Sequence, residues 1–236
     1  AALGGSVAGG EYNVAIGNNA LDALTSADYS VAVGYQAGTA ITTGGNNTLM
    51  GYQAGANITT GTNNTGVGIQ ALYNFDTEGN NTAFGQSALG GAIAGGEFNV
   101  AVGNLSLSAL TSGDFNTAVG YTAGSALTTG SNNTAIGNQS LQNLTTGSDN
   151  AAGGSGALNA LTEGSNNTAF GRAALGAATT GGNNTALGRS AGLGLTTGSD
   201  NVIIGHDSAL AALTGASNTI VGTDAAKALT SGHSSV

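Results

Sequence analysis

Apolar and small residues recur along this chain with a period of 17 positions, so the sequence has to be read as repeats first. Counting each repeat from an asparagine at slot 0, the anchors are Asn13, Ser30, Asn47, Asn64, Asn81, Asn99, Asn116, Asn133, Asn150, Asn167, Asn184, Asn201 and Asn218. They lie 17 apart except for one step of 18 from Asn81 to Asn99. Slot +4 is glycine in every copy, as in Gly17, Gly51, Gly120, Gly137, Gly188 and Gly205. Slot +1 is Val or Thr with Ala151 as the exception, slot +2 is mostly Ala, and slot +3 is mostly apolar (Ile16, Met50, Phe84, Ile136, Phe170). Period-two alternation places +1 and +3 on one face of a short strand and +2 on the other, and β-branched residues suit that setting. The glycine column marks a corner that a Cβ would spoil, through positive φ or close packing. The asparagine column marks a corner where the residue tolerates the left-handed region and its amide bonds nearby backbone or the next asparagine. The structural ladder is therefore assigned to Asn13, Gly17, Asn47, Gly51, Asn116, Gly120, Asn133, Ile136, Gly137, Asn184, Gly188, Asn201 and Gly205.

The second half of each repeat carries a small slot +7 (Ala20, Ala37, Ser106), Leu or Gly at +8 (Leu21, Gly38, Leu141) and Leu or Ile at +11 in most copies (Leu24, Ile41, Leu127). Thr-Thr-Gly follows, as in Thr128-Thr129-Gly130. A coil of about 17 residues holds two or three short strands and cannot bury a core alone, so stacking at ~4.8 Å supplies one. The predicted fold is all-β: a parallel β-solenoid, or β-roll, spanning residues 1–236 as a single array of about thirteen coils and roughly 60 Å long. A helical reading fares worse, because glycine inside a helix costs about 1 kcal/mol each time; one helical turn around Ala20–Leu24 is the most it permits. A larger repeat of 86 residues matches Ala2–Asn13 to Ala88–Asn99. By slot count Ala1 falls inside a coil, and Ser235 and Val236 begin one that does not continue. A solenoid needs capped ends, so the expectation is a segment of a longer array, or ends that stack head to tail between molecules.

Composition narrows the function classes. Charged residues make up 6% of the chain, with 3 Lys+Arg against 12 Asp+Glu and a net charge of −9, which argues against nucleic acid and anionic membranes. The apolar content of 40% argues against acidic disorder. The absence of Cys rules out disulfides and thiolate metal sites, and no membrane span or signal peptide is legible.

At slots −1 to +4, Tyr29-Ser30-Val31-Ala32-Val33-Gly34 and Asn132-Asn133-Thr134-Ala135-Ile136-Gly137 resemble the Asn-Ser-Val-Ala-Ile-Gly repeat of trimeric autotransporter adhesin heads of the YadA type. They are similar as well to Asn-Thr-Ala-x-Gly repeats of phage tail fibres and large bacterial surface proteins. The resemblance covers essentially all coils. It implies a left-handed parallel β-roll, three chains side by side as a homotrimer, and an extracellular, cell-surface or virion-fibre location. The coils here depart from that family in their longer second half.

Sites for chemistry are sparse. His206 at slot +5 reads as an exposed variable position and His233 lies near the end of the chain. No triad or His-Glu-x-x-His helix is present, so an enzyme is not expected. The acids are scattered, several in the turn before slot 0, where Asp is a turn former; no metal or cofactor is expected. Gly90-Gly91 lacks the Lys-Ser/Thr and helix of a phosphate loop. Tyr35, Tyr52 and Tyr121 share slot +5 with Arg172, Arg189 and His206, and these six are the candidate exposed contacts. Tyr12, Tyr29, Phe98 and Phe115 share slot −1. Such aromatics either pack on neighbouring coils or chains, or meet host-surface or matrix glycans. Asn-x-Thr triplets such as Asn132-Asn133-Thr134 are turn chemistry before they are glycan acceptors. Threonine columns raise ice binding as an alternative, through the slot +1 column (Thr48, Thr65, Thr82, Thr117, Thr134, Thr168, Thr185) or the Thr-Thr-Gly column. Against the first stands the apolar slot +3 beside it, which reads as an inward face or a chain interface. On the inward reading, Ile136→Asp would bury an unpaired charge. The functional expectation is a structural rod of an extracellular fibre or adhesin that spaces and displays surfaces, or a filament subunit stacking end to end.

Overall fold

The computed structural model describes residues 2–4, 9–91 and 95–232. His233, Ser235, Val236, Ala1 and the segment 92–94 of the longer repeat lie outside them. Two compact units divide the chain, Ala1–Asn116 and Thr117–Val236. The first holds β1 (Val14–Ile16), β2 (Val31–Val33), β3 (Thr48–Met50), β4 (Thr65–Val67), β5 (Thr82–Phe84) and β6 (Val100–Val102). The second holds β7 (Thr117–Val119), β8 (Thr134–Ile136), β9 (Ala151–Gly153), β10 (Thr168–Phe170), β11 (Thr185–Leu187), β12 (Val202–Ile204) and β13 (Thr219–Val221). Within each unit consecutive strands pair in parallel and in register, slot on slot: Val31 faces Thr48, and Thr168 faces Thr185. Each unit is thus a parallel β-solenoid whose coils each carry one three-residue strand, not the two or three expected. No described residue is helical; the segment from Ala20 to Ala23 is a turn, and Leu24 follows it in irregular structure. No described helix is long and apolar enough to cross a membrane.

The glycine corner has the expected conformation, with φ +140° at Gly51 and +134° at Gly137. Three other slots take positive φ without glycine: −1 (Tyr29, φ 56°), +6 (Gln36, φ 55°) and +8 (Leu21, φ 49°). Leucine and tyrosine reach that region only at a cost of roughly 1–2 kcal/mol each. The hydrogen bonds give the reason. The N–H groups of Tyr29, Gln36 and Leu21 turn along the stack and donate to Glu11 O, Asn18 O and Ala37 O of neighbouring coils at 2.9–3.1 Å. The Leu/Gly alternation at slot +8 is the trace of this requirement in the sequence.

The asparagine of slot 0 is not itself in the left-handed region; its side chain carries the corner. Asn47 Nδ2 donates to Gly44 O at 3.0 Å and Gly61 O at 2.8 Å, while its Oδ1 accepts from the backbone N–H of Asn64 at 2.9 Å. The same rung repeats through Asn167, Asn184 and Asn201 in the second unit. Ser30 preserves it with a hydroxyl, Oγ accepting from Asn47 N–H at 3.3 Å. Among the described residues, Thr122 Oγ1 is the one buried side-chain N or O atom without a partner. A core closed on this many amides is stable only because nearly every donor and acceptor is matched.

The core corrects one expectation. Slot +2 points inward and slot +3 points out. Ala32, Ala83, Ala118 and Ala186 are fully buried, whereas Ile136 is 47% and Phe170 45% exposed. The coil interior is narrow and is filled from several sides by slots +2, +7, +8 and +11 (Ala32, Ala37, Leu21, Ile41), so only a methyl fits at most +2 positions. Where +2 is large, +8 is small. An added Cβ at Gly55 would lie 2.7 Å from Leu49 Cδ2, and one at Gly192 would lie 2.9 Å from Ile203 Cδ1. Gly55→Leu is therefore expected to lose about 1–3 kcal/mol by overpacking. Adding Leu49→Ala should restore part of it, because leucine already occupies slot +8 at Leu72 with φ 56°, while Ile58 Cδ1, 2.8 Å from the added Cβ, still has to shift. Thermal melts of the single and double variants would check this; no rescue would reject the paired-volume account.

Candidate functional sites

Two columns of the strand face are turned to solvent. Slot +1 is partly exposed through most coils, and slot +3 carries exposed Ile16, Met50, Phe84, Ile136, Phe170 and Leu187. Neither column contains a charged residue. Within each unit these columns are contiguous, and apolar surface of this kind is uncommon on a solitary soluble protein. Its height is uneven: Phe170 lies against Gly153 of the preceding coil so closely that a Cβ there would overlap the ring. In contrast, the first threonine of Thr-Thr-Gly turns its hydroxyl to the stack. Thr128 Oγ1 donates to Thr145 O at 2.9 Å, and Thr145 Oγ1 to Thr162 O at 2.8 Å.

The six candidate contacts at slot +5 are all exposed, and the structure sorts them into groups. Tyr35 and Tyr52 stack, with ring centroids 5.4 Å apart and planes 12° from parallel. Beside them at slot +6 runs an amide ladder: Gln53 Nε2 donates to Gln36 Oε1 at 2.8 Å, and Gln70 Nε2 to Gln53 Oε1 at 3.0 Å. Tyr121 is exposed as well. Arg172 and Arg189 occupy equivalent slots of successive coils. Arg189 Nε donates to His206 Nε2 at 2.7 Å, and Arg189 Nη2 meets Asp207 Oδ2 at 3.1 Å.

His206, Asp207 and Asp224 each bring a ligand-type atom within 4.8 Å of the others, a grouping hidden in the sequence because Asp224 lies one coil away. Two cations already balance it: Arg189 on Asp207, and Lys227 Nζ on Asp224 Oδ1 at 2.7 Å. Exposed pairs of this sort contribute little to stability. A divalent ion at this cluster would compete with both cations for the carboxylates.

The slot −1 aromatics pack on neighbouring coils: Tyr12 on Tyr29, and Phe98 on Phe115, each with centroids 5.1 Å apart and planes 4° from parallel. The acids beside them act as turn groups. Asp28 Oδ1 accepts from Glu11 N–H at 2.6 Å and Asp114 Oδ1 from Glu97 N–H at 2.8 Å. Sequence reasoning missed the glutamine ladder, although Tyr-Gln-Ala-Gly at Tyr35–Gly38 and Tyr52–Gly55 signals it. Comparison with protein-family models, curated proteins and solved structures found no match to this chain.

Proposed function

We propose that this chain is a stiff, non-catalytic segment of an extracellular bacterial or phage fibre or adhesin, and that its copies associate side by side through the slot +1 and +3 face. The observation that carries the reading is the charge-free apolar column on the outside of the sheet, with Ile136 47% exposed. Burying such a column against another copy releases water from apolar surface at roughly 25 cal/mol per Å². A partner with the same coil spacing offers ridges and hollows at the same interval. The resemblance at slots −1 to +4 makes three the expected number of copies. Ice binding fits this face less well, because Met50, Phe84 and Phe170 make its height irregular and the inner Thr-Thr-Gly hydroxyl is bound within the stack.

Analytical ultracentrifugation tests the association. The expected result is a species of three times the 22.4 kDa chain mass. Ile136→Asp should leave the coil stable to within about 1 kcal/mol, because the site is exposed in the single chain. The same charge should shift the assembly towards single chains, because the contact would bury it. A mass of one chain at every concentration would reject side-by-side association, and mass growing without limit would favour end-to-end stacking.

A further inference from the structure

In coils 2 to 4 the apolar surface widens from slot +3 to slot +5. Tyr35, Tyr52 and Ile69 are exposed there, between Asn18 on one side and Gln86 on the other. The widening lies next to the Gln36–Gln53–Gln70 ladder and exceeds what the repeat needs, since most other coils carry polar residues at slot +5. From slot +3 to slot +6 these three coils contain Val, Met, Gly, Tyr, Ile and Gln and no charge, in a chain of net charge −9.

We propose that the slot +5 and +6 part of this patch (Tyr35, Tyr52 and Ile69 beside Gln36, Gln53 and Gln70), next to the slot +1 and +3 face assigned to association, binds a neutral polysaccharide lying along the stack. The proposal rests on the reading of the chain as a displayed fibre surface and names the partner that the surface takes. Three properties point to it. The tyrosines are amphipathic: stacked on each other, they offer a ladder of apolar ring edges to the C–H groups of a pyranose, with hydroxyls for hydrogen bonding. They are preorganised: stacking holds both rings 5.4 Å apart and the amide chain holds the glutamines, so little side-chain freedom is left to lose on binding. The contacts repeat once per coil, at a rise of ~4.8 Å, which suits a polymer of repeated rings. An extended peptide finds no comparable seat, because β2, β3 and β4 are each paired on both sides and leave no open strand edge. The Tyr12–Tyr29 and Phe98–Phe115 stacks differ in standing beside Glu11, Asp28, Glu97 and Asp114.

Affinity electrophoresis of the full chain through gels containing hydroxyethylcellulose, amylose, laminarin, dextran sulfate or gelatin tests the proposal. Retardation by at least one of the three neutral polysaccharides is expected, and it should not weaken on adding salt. Tyr35→Ala with Tyr52→Ala should reduce the affinity at least about tenfold. Tyr12→Ala with Tyr29→Ala, a more exposed stack, should leave it unchanged. No retardation in any neutral gel, retardation by dextran sulfate or gelatin alone, or equal loss in both double variants would each overturn the proposal. Ultracentrifugation of the same proteins keeps the two readings apart: single chains that bind a neutral polysaccharide reject the assembly alone, and trimers that bind none reject this site alone.

Discussion

Replacing Gly137 with valine is expected to destabilise its unit by about 3–5 kcal/mol, the largest effect of any single exchange considered. Two costs combine. The backbone there has φ +134°, a conformation that a β-branched residue reaches only with strain. An added Cβ would also lie 2.6 Å from both the carbonyl carbon and the oxygen of Gly154 in the next coil. That carbonyl cannot simply withdraw, because the Gly154 N–H is bonded to Ile136 O at 2.7 Å and anchors the coil. In a stack, each coil is stabilised by its neighbours, so the defect should loosen the coils on both sides of it. Thermal denaturation followed by circular dichroism measures the loss, and hydrogen exchange locates it. A melting temperature matching the unaltered protein would reject the account of slot +4 as a corner closed to side chains.

Asn184→Ala is expected to cost about 3 kcal/mol although it removes no apolar packing. Its Oδ1 accepts from both the backbone N–H and the Nδ2 of Asn201 at 3.0 Å. Its Nδ2 donates to Asn167 Oδ1 and Gly198 O, each at 3.0 Å. All of this is buried, so alanine strands partners on two adjoining coils out of reach of water. Asn184→Ser should be milder, since Ser30 already holds one rung of this column through its hydroxyl. Comparison of the two melts is decisive: equal destabilisation by Ala and Ser would mean that shape rather than hydrogen bonding sets the requirement.

These two variants and Ile136→Asp separate what was legible from what was not. The coil length, the strand at slots +1 to +3, the glycine corner and the asparagine ladder all follow from residue spacing. A parallel in-register stack makes every coil meet a copy of itself, so each positional demand is written thirteen times over. The polar pairings outside the columns were not legible in this way. Lys227 reaches Asp224 within one coil, but Arg189 reaches Asp207 only across the stack, after the turns have set their side chains.

The sequence by itself determined the repeat, its register and the direction of alternation along each strand, because a period of two and a period of 17 survive any arrangement of the coils in space. It did not determine which side of the strand is inside. Hydrophobicity pointed to Ile136 and Phe170, and the tertiary structure chose alanine. The reason is volume: several sides of a narrow coil fill one interior, so the smallest apolar side chain goes in and the larger ones are left outside. The left-handed conformations of Leu21 and Tyr29 were likewise decided by tertiary structure, since their N–H groups turn only to meet carbonyls in another coil.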